Sequence, residues 1–294
     1  MREIEFFLLT LVSGISIGSV WGLTGLAFTA IFNASRVINF GGGEVAMVGA
    51  YAGGLLVFSG IVPIPIGLLG VIVLPIVSGF FMNRVFAEPL VKRKAPVISS
   101  VLATLAAALI ISGVVGLITK FQYFKTGLIF GTKPVVWGPL SISPQYIAII
   151  VSVVGLTFGY WFFLNKTHMG LGLQAAGIDP DMASQVGINM VRMRDLAWLV
   201  SSVIGGIAGF LAAPLLVASA VMGLPLVVYG FIGAVLGGFG YPLAALAGGI
   251  ILGLCVQFFT AYVSPAHTDL LVFLALLVVC AYRPTGILGL KMYE

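Results

Sequence analysis

The sequence predicts an all-α, polytopic helical membrane protein of about eight or nine transmembrane helices. Three observations carry this. Apolar residues make up 60% of the 294-residue chain and charged residues only 8%, where a soluble domain carries roughly 25% charge. Charge-free runs far exceed the about 20 residues a helix needs to cross the hydrocarbon core. Proline and glycine clusters cut the longest runs into lengths of one crossing.

Taken in order, nine spans are expected. Phe6 to Ser35 has no charge and supplies the first, about 6–33. Val45 to Asn83 is split at Ile61, Pro63 and Pro65 into about 39–60 and 63–84. Ala95 to Thr119 gives 96–119, and Pro134 to Asn165 gives 145–165. Leu196 to Ala266 has no ionisable Asp, Glu, Lys, Arg or His, and turns at Gly223–Pro225 and Gly240–Pro242 divide it into 196–219, 225–239 and 242–263. The second of these is short for a crossing and reads as half-buried or re-entrant. The last, about 267–283, crosses with its flanks or where the bilayer thins. The first span reads as retained, since Met1 to Glu5 is not a basic signal-peptide start.

Basic residues orient the bundle. With Lys92, Arg93 and Lys94 inside the cell, the inner side also receives Arg36, Arg84, Lys166, Arg192, Arg194, Arg283 and Lys291, and the outer side Arg2, Lys120, Lys125 and Lys133. The N-terminus is then outside and the C-terminus inside. The net charge of +5 is a topology signal, and no nucleic-acid partner is expected. Cys255 and Cys280 fall within spans as packing residues, and no metal-type spacing is present.

The chain reads as one transmembrane domain with two long loops. The outer loop, 120–144, has short β-prone runs between Gly and Pro and predicts a small hairpin or flap, either a docking surface or a connector; Tyr123, Trp137 and Tyr146 suit the headgroup zone. The inner loop, 166–195, contains a helix start: Asp179 caps, Pro180 takes the first helical position, and Asp181 favours the positive dipole end. Gly187 ends a helix of about two turns, too short to stand alone in water and so in need of a surface. Asp195 is expected to cap the next span. His267 and Asp269 are expected to cap the last.

Glycines four apart at Gly14, Gly18 and Gly22, at Gly233 and Gly237, and at Gly249 and Gly253 predict faces where helices approach closely. At Asn39-Phe40-Gly41-Gly42-Gly43-Glu44 three glycines meet a carboxylate. This predicts broken or closely approached backbone near one end of the second span. Glu44 either pairs with Arg36 at the interface or faces the pathway. Polar and small residues that could line that pathway are Thr24, Asn39, Gly41, Gly42, Gly43, Glu44, Ser201 and Ser202.

Four blocks in order carry a family resemblance. Gly18 to Phe32 with Arg36 to Tyr51, Pro180 to Asn189, Leu236 to Gly249, and Arg283 to Gly289 resemble the branched-chain amino-acid ABC-transporter permease family. The sequence departs from it at Gly41-Gly42-Gly43, where Ala-His-Gly is commoner, and at Tyr241 and Leu243, where small residues are usual. The resemblance implies an ABC importer permease fold in the inner membrane of a prokaryote. It also implies a second permease subunit, usually a different chain, two cytoplasmic ATPase subunits and an extracytoplasmic solute-binding protein, all set in membrane lipid. Coupling to the ATPases would fall on Ala175, Ala176, Gly177, Asp179, Pro180, Asp181, Ala183, Gly187, Ile188 and Asn189. ATP and Mg would bind the partner ATPases; this chain lacks a phosphate-loop motif and is expected to bind no cofactor and to carry no catalytic residue. The solute expected is a branched-chain or other amino acid, with urea, short amides or aromatic carboxylates as alternatives.

Two other classes are weighed. An ion-coupled secondary transporter would carry ionisable residues at the midplane and inverted repeats; Glu44 is the one candidate, near a predicted span end. An intramembrane enzyme is disfavoured because His168 and His267, the only histidines, fall on opposite sides of the membrane.

Overall fold

The computed structural model describes residues 2–58, 62–124, 126–127, 134–137, 140–283 and 285–288. Lys125, Lys133 and Lys291 of the charge count, Ile61 of the first turn, and Pro284 and Gly289 of the last block lie outside these.

Helix α1 spans Arg2–Ser35. Helix α2, Gly42–Ala52, runs on through a π-helical turn, Gly53–Val57. Helix α3, Ile64–Met82, passes through a second π-helical turn, Asn83–Ala87, into α4, Glu88–Lys92. Then follow α5 (Val97–Thr119), a hairpin of β1 (Val135–Trp137) and β2 (Leu140–Ile142), and α6 (Pro144–Lys166). Two short helices come next, α7 (His168–Ile178) and α8 (Pro180–Gln185). The chain ends in α9 (Met190–Leu216), α10 (Gly223–Gly237), α11 (Pro242–Tyr262) and α12 (Thr268–Tyr282). The strands are antiparallel with Val136 opposite Ser141, the hairpin expected from the outer loop.

Among the described residues seven helices are long and apolar enough to cross a membrane; Gly42–Val57 and Gly223–Gly237 are apolar but shorter. At about 1.5 Å per residue neither short helix spans a core of about 30 Å. The second predicted span is therefore corrected to a half-length helix, as α10 also is. Each is completed by a non-helical approach, 36–41 before α2 and 217–222 before α10. Irregular backbone survives at membrane depth only where protein satisfies its polar groups, and α5 does this for both segments. Thr104 Oγ1 accepts from Phe40 N at 3.2 Å and lies within bonding distance of Ile38 O. Ser112 Oγ donates to Ala220 O at 2.6 Å. Phe124 and Ala218 exchange backbone bonds at 2.9 and 3.2 Å.

The long–short–long unit α1–α2–α3 recurs as α9–α10–α11, inverted. Ser201 on α9 donates to Ala27 O on α1, and Ala34 clusters with Ala197, so the two leading helices run antiparallel. Each leading helix packs on the other unit. Helix α1 lies along α11, where a Cβ on Gly18 would sit 2.8 Å from Gly249 O and one on Gly14 3.1 Å from Leu254. Helix α9 lies along α3, joined by Arg84–Asp195 at one end and Gly206 against Pro75 further along. The glycine contacts repeat as well. Gly49, the eighth residue of α2, meets Gly206 of α9, and Gly230, the eighth of α10, meets Gly25 of α1. Gly25 and Gly206 each precede their short helix by 17 residues. The predicted glycine faces thus form close contacts both between the units, Gly18 with Gly253 and Gly22 with Gly249, and within the second, Gly233 with Gly249.

Several local expectations are corrected. Helix α9 starts at Met190, and Asn189 caps it by accepting from Arg192 N at 3.1 Å. Asp195 is instead drawn to α3, bonding Asn83 and Arg84 at 2.8 and 2.7 Å. His267 precedes α12 without a side-chain cap, and Asp269 accepts from Tyr229 on α10. Cys255 and Cys280 lie in helices but face outward. Arg36 does not reach Glu44; its guanidinium donates to Gly177 O at 2.8 Å.

Candidate functional site

The two half-length helices begin beside one another. A Cβ on Gly43 would strike the Gly223 carbonyl, and one on Gly223 would strike the Glu44 carboxyl group. The glycines expected to break the second span are thus what allows two helix starts to meet. Glu44 stands in the first turn of α2, only 4% exposed. Its Oε2 has no hydrogen-bond partner. An unpartnered buried carboxyl group is unfavourable in the membrane interior, though the positive ends of two helix dipoles face it.

Beside this junction lies a cavity of about 10 Å³ lined by Thr24, Asn39, Gly42, Ser201, Ser202 and Gly205 among others. That is room for about one water. Five of the eight residues named from the sequence as pathway candidates line this cavity. Gly43 and Glu44 belong to the α10 contact next to it. Gly41 faces Met82 and Thr104 O instead. Asn39 is buried and turns its Oδ1 onto Gly41 N at 3.0 Å, fixing the backbone just before α2. The part played by Gly223, Thr104 and Ser112 was not read from the sequence. Hydropathy shows that these residues are embedded and says nothing of where a helical ladder begins.

A second candidate site lies at the end of the bundle opposite the hairpin. Asp179 Oδ1 accepts from Asp181 N and Met182 N, both at 3.0 Å, as a residue before Pro180 at the first helical position should. Gly187 ends the turn at φ +89°. Ala176 and Ala183 are buried, and Gly177 is held by Arg36. Ala175 accepts the Asp179 N–H at 3.1 Å, and Ile188 N returns to Ala183 O at 3.0 Å. Helix α7 was not anticipated. Thr167 caps it, accepting from Gly170 N at 3.0 Å, and Gly170 serves as a contact: a Cβ there would strike Phe163 O.

The outward side of this segment is apolar. Ile178, at the end of α7, and Met182 and Val186, one helical turn apart along α8 and its C-cap, are 82%, 62% and 76% exposed. Their spacing was visible in the sequence. Close by along the chain, near the start of α9, Arg194 donates twice to Glu88, at 3.0 and 2.9 Å, and Arg84 pairs with Asp195 at 2.7 Å. The second turn of α9 is thereby fastened to α4 and to the π-helical turn after α3. Among the described residues no cluster of His, Cys, Asp and Glu could hold a metal ion.

Comparison with known proteins agrees with this architecture over most of the chain. The family model described as branched-chain amino acid transport system / permease component matches residues 10–281. The high-affinity branched-chain amino acid transport system permease protein LivH of Escherichia coli K12 is 26% identical, over 98% of this chain and 97% of its own. The corresponding permease protein BraD of Pseudomonas aeruginosa is 28% identical over 98% of each. A probable LivH of Methanocaldococcus jannaschii is 28% identical over 90% of this chain and 88% of its own. No solved structure matches. A match over residues 10–281, from the first membrane helix to the last, makes the chain a member of the branched-chain amino acid transport permease family.

Proposed function

We propose that this chain is a membrane-spanning subunit of an ATP-driven, binding-protein-dependent importer of branched-chain or other amino acids. It would sit in the inner membrane of a prokaryote, paired with a second permease. The single observation that carries the reading is the Ile178–Met182–Val186 ridge. A capped helix of six residues is too short to persist by itself. It carries Met182 exposed to solvent, with exposed Ile178 at the end of α7 before it and exposed Val186 just after it, and a partner surface accounts for these apolar side chains. The chain has no phosphate-binding loop, so that partner supplies the ATPase, and the branched-chain amino acid permeases it resembles supply the solute class.

ATP-driven closure of two such partners would push on α8. The cap at Asp179 keeps α8 a rigid lever, and the Arg194–Glu88 and Arg84–Asp195 pairs pass its displacement to α9 and α3. Those helices carry Ser201, Ser202 and the packing surface of α2. The junction at Asn39 to Glu44, with Thr24 opposite, would then shift between two arrangements. Free energy enters as the different affinity of the partner for nucleotide in the two states, since a ligand that binds both equally shifts neither.

The test is uptake in vesicles containing this chain, a second permease, the ATPases and a binding protein. Uptake of leucine requires ATP and all components. Met182→Asp with Val186→Asp removes ATPase subunits from the purified complex and abolishes uptake. Leucine transport by this chain alone would overturn the proposal.

A further inference from the structure

A slot opens sideways between α6 and α9, with a volume of about 250 Å³, lined by Gly155, Gly159, Tyr160, Phe163, Leu199 and Val203 among others. The glycines make it: a Cβ on either Gly155 or Gly159 would meet nothing within 4 Å. At Gly18, Gly22, Gly49 and Gly233 glycine admits another helix's backbone; at Gly155 and Gly159 no described atom of this chain enters. Along α6, steps of three and four residues lead from Gly155 through Gly159 and Phe163 to Lys166. Along α9 they lead from Val203 through Leu199 and Leu196 to Arg192. Such residues share a helix face, so both rails of the slot end in a cation. Lys166 and Arg192 are exposed. The ion pairs among the described residues use Arg84, Lys92 and Arg194, leaving these two without one. Helix α7 lies across this end, with Gln174 bonded to Leu164 O at 2.8 Å.

We propose that the slot binds one anionic phospholipid, an acyl chain lying along Gly155 and Gly159 and the phosphate between Lys166 and Arg192. An apolar channel at membrane depth that ends in paired cations at headgroup level matches that molecule at both ends. A flexible hydrocarbon chain fills the void and recovers the dispersion contacts its walls otherwise lack. A rigid transmembrane helix fits less well. Phe158 and Phe162, four apart on α6 and both exposed, stand beside the glycines along one flank and hold a helix backbone away from the slot floor.

The full-length chain, purified in nanodiscs of phosphatidylethanolamine and phosphatidylglycerol and then washed with detergent, tests this by the phospholipid it retains. The wild type retains phosphatidylglycerol in preference to phosphatidylethanolamine. Gly159→Leu, placed where a side chain has room, fills the slot and removes the retained lipid while circular dichroism and elution volume stay unchanged. Lys166→Gln and Arg192→Gln each lower the preference for phosphatidylglycerol about fivefold and leave chain binding in place. Retention of phosphatidylglycerol by Gly159→Leu at the wild-type level overturns the proposal. So does loss of a co-purifying membrane subunit from Gly159→Leu with lipid retention unaltered, which would assign the slot to a protein helix.

Discussion

Glu44 and Glu88 are both buried carboxylates, and their surroundings differ completely. Glu88 accepts two bonds from Arg194 and lies 3.6 Å from Lys92; Glu44 has an oxygen with no partner. Removing one member of a buried pair strands the other. Arg194→Ala should therefore destabilise the fold by about 3–5 kcal/mol, read as a lower melting temperature in detergent. Joint replacement by Arg194→Met and Glu88→Leu should recover most of that, since both charges then leave together. Glu44 predicts the opposite sign. Glu44→Gln replaces a buried carboxyl group, one oxygen of which has no partner among the described residues, by a neutral amide of the same shape, so melting temperature should hold or rise while solute uptake falls. Uptake at the wild-type rate would remove Glu44 from the pathway. Sequence alone marked the three glycines and the carboxylate as unusual but left open whether Arg36 satisfied Glu44. That is decided by Gly177 O, more than a hundred residues away along the chain, and local pattern has no access to such a partner.

The two half-length helices depend on α5. Thr104 and Ser112 stand eight residues apart on it and hold the approach to α2 and the approach to α10 respectively. Ser112→Ala leaves the Ala220 carbonyl without its donor and should destabilise by about 1 kcal/mol, with faster hydrogen exchange at 217–222 than at 36–41; Thr104→Val should reverse that order. Equal effects of both variants on both segments would show that α5 does not pin them separately. Helix positions were legible because charge-free length is itself the physical requirement for crossing. Close contacts were legible wherever glycines recur every four residues, as at Gly18 and Gly22. Ends were not. A predicted span at 39–60 and a helix of 16 residues beginning at Gly42 have nearly the same hydropathy; the difference is whether Ile38 and Phe40 bond within their own turn or to Thr104. Helix α7 was hidden for a related reason. Gly170, Gly172 and Gly177 lower helix propensity, but Gly170 and Gly172 gain it back by packing on α6 and Met193. The cap of α9 went to Asn189 because Asp195 has a stronger partner in Arg84.

An inverted pair of units with exchanged leading helices means that neither half holds its own core. Inverted repeats with half-helices meeting near the midplane occur among ion-coupled transporters too, so this architecture does not decide how transport is driven; the apolar ridge on α8 bears on that. What the architecture does decide is how the chain holds together. Helix α1 is held by α11 through Gly14, Gly18 and Gly22, and α3 by α9 through Gly206 and the ion pairs, while α1 and α3 touch each other little. If this interleaving stabilises the bundle, covalent continuity between α4 and α5 is dispensable. Fragments 1–94 and 95–294, expressed together with an affinity tag on one, should co-purify and resist protease as the intact chain does. Fragment 1–94 expressed alone, lacking α9 and α11, should be degraded. Gly18→Leu in the shorter fragment should abolish co-purification, because a side chain there meets the backbone of Gly249 and Ile250, which α11 cannot move without losing Gly22 as well. Recovery of a stable fragment 1–94 on its own would show that the first unit carries a sufficient core, and the exchange of leading helices would then be a consequence of assembly rather than its cause.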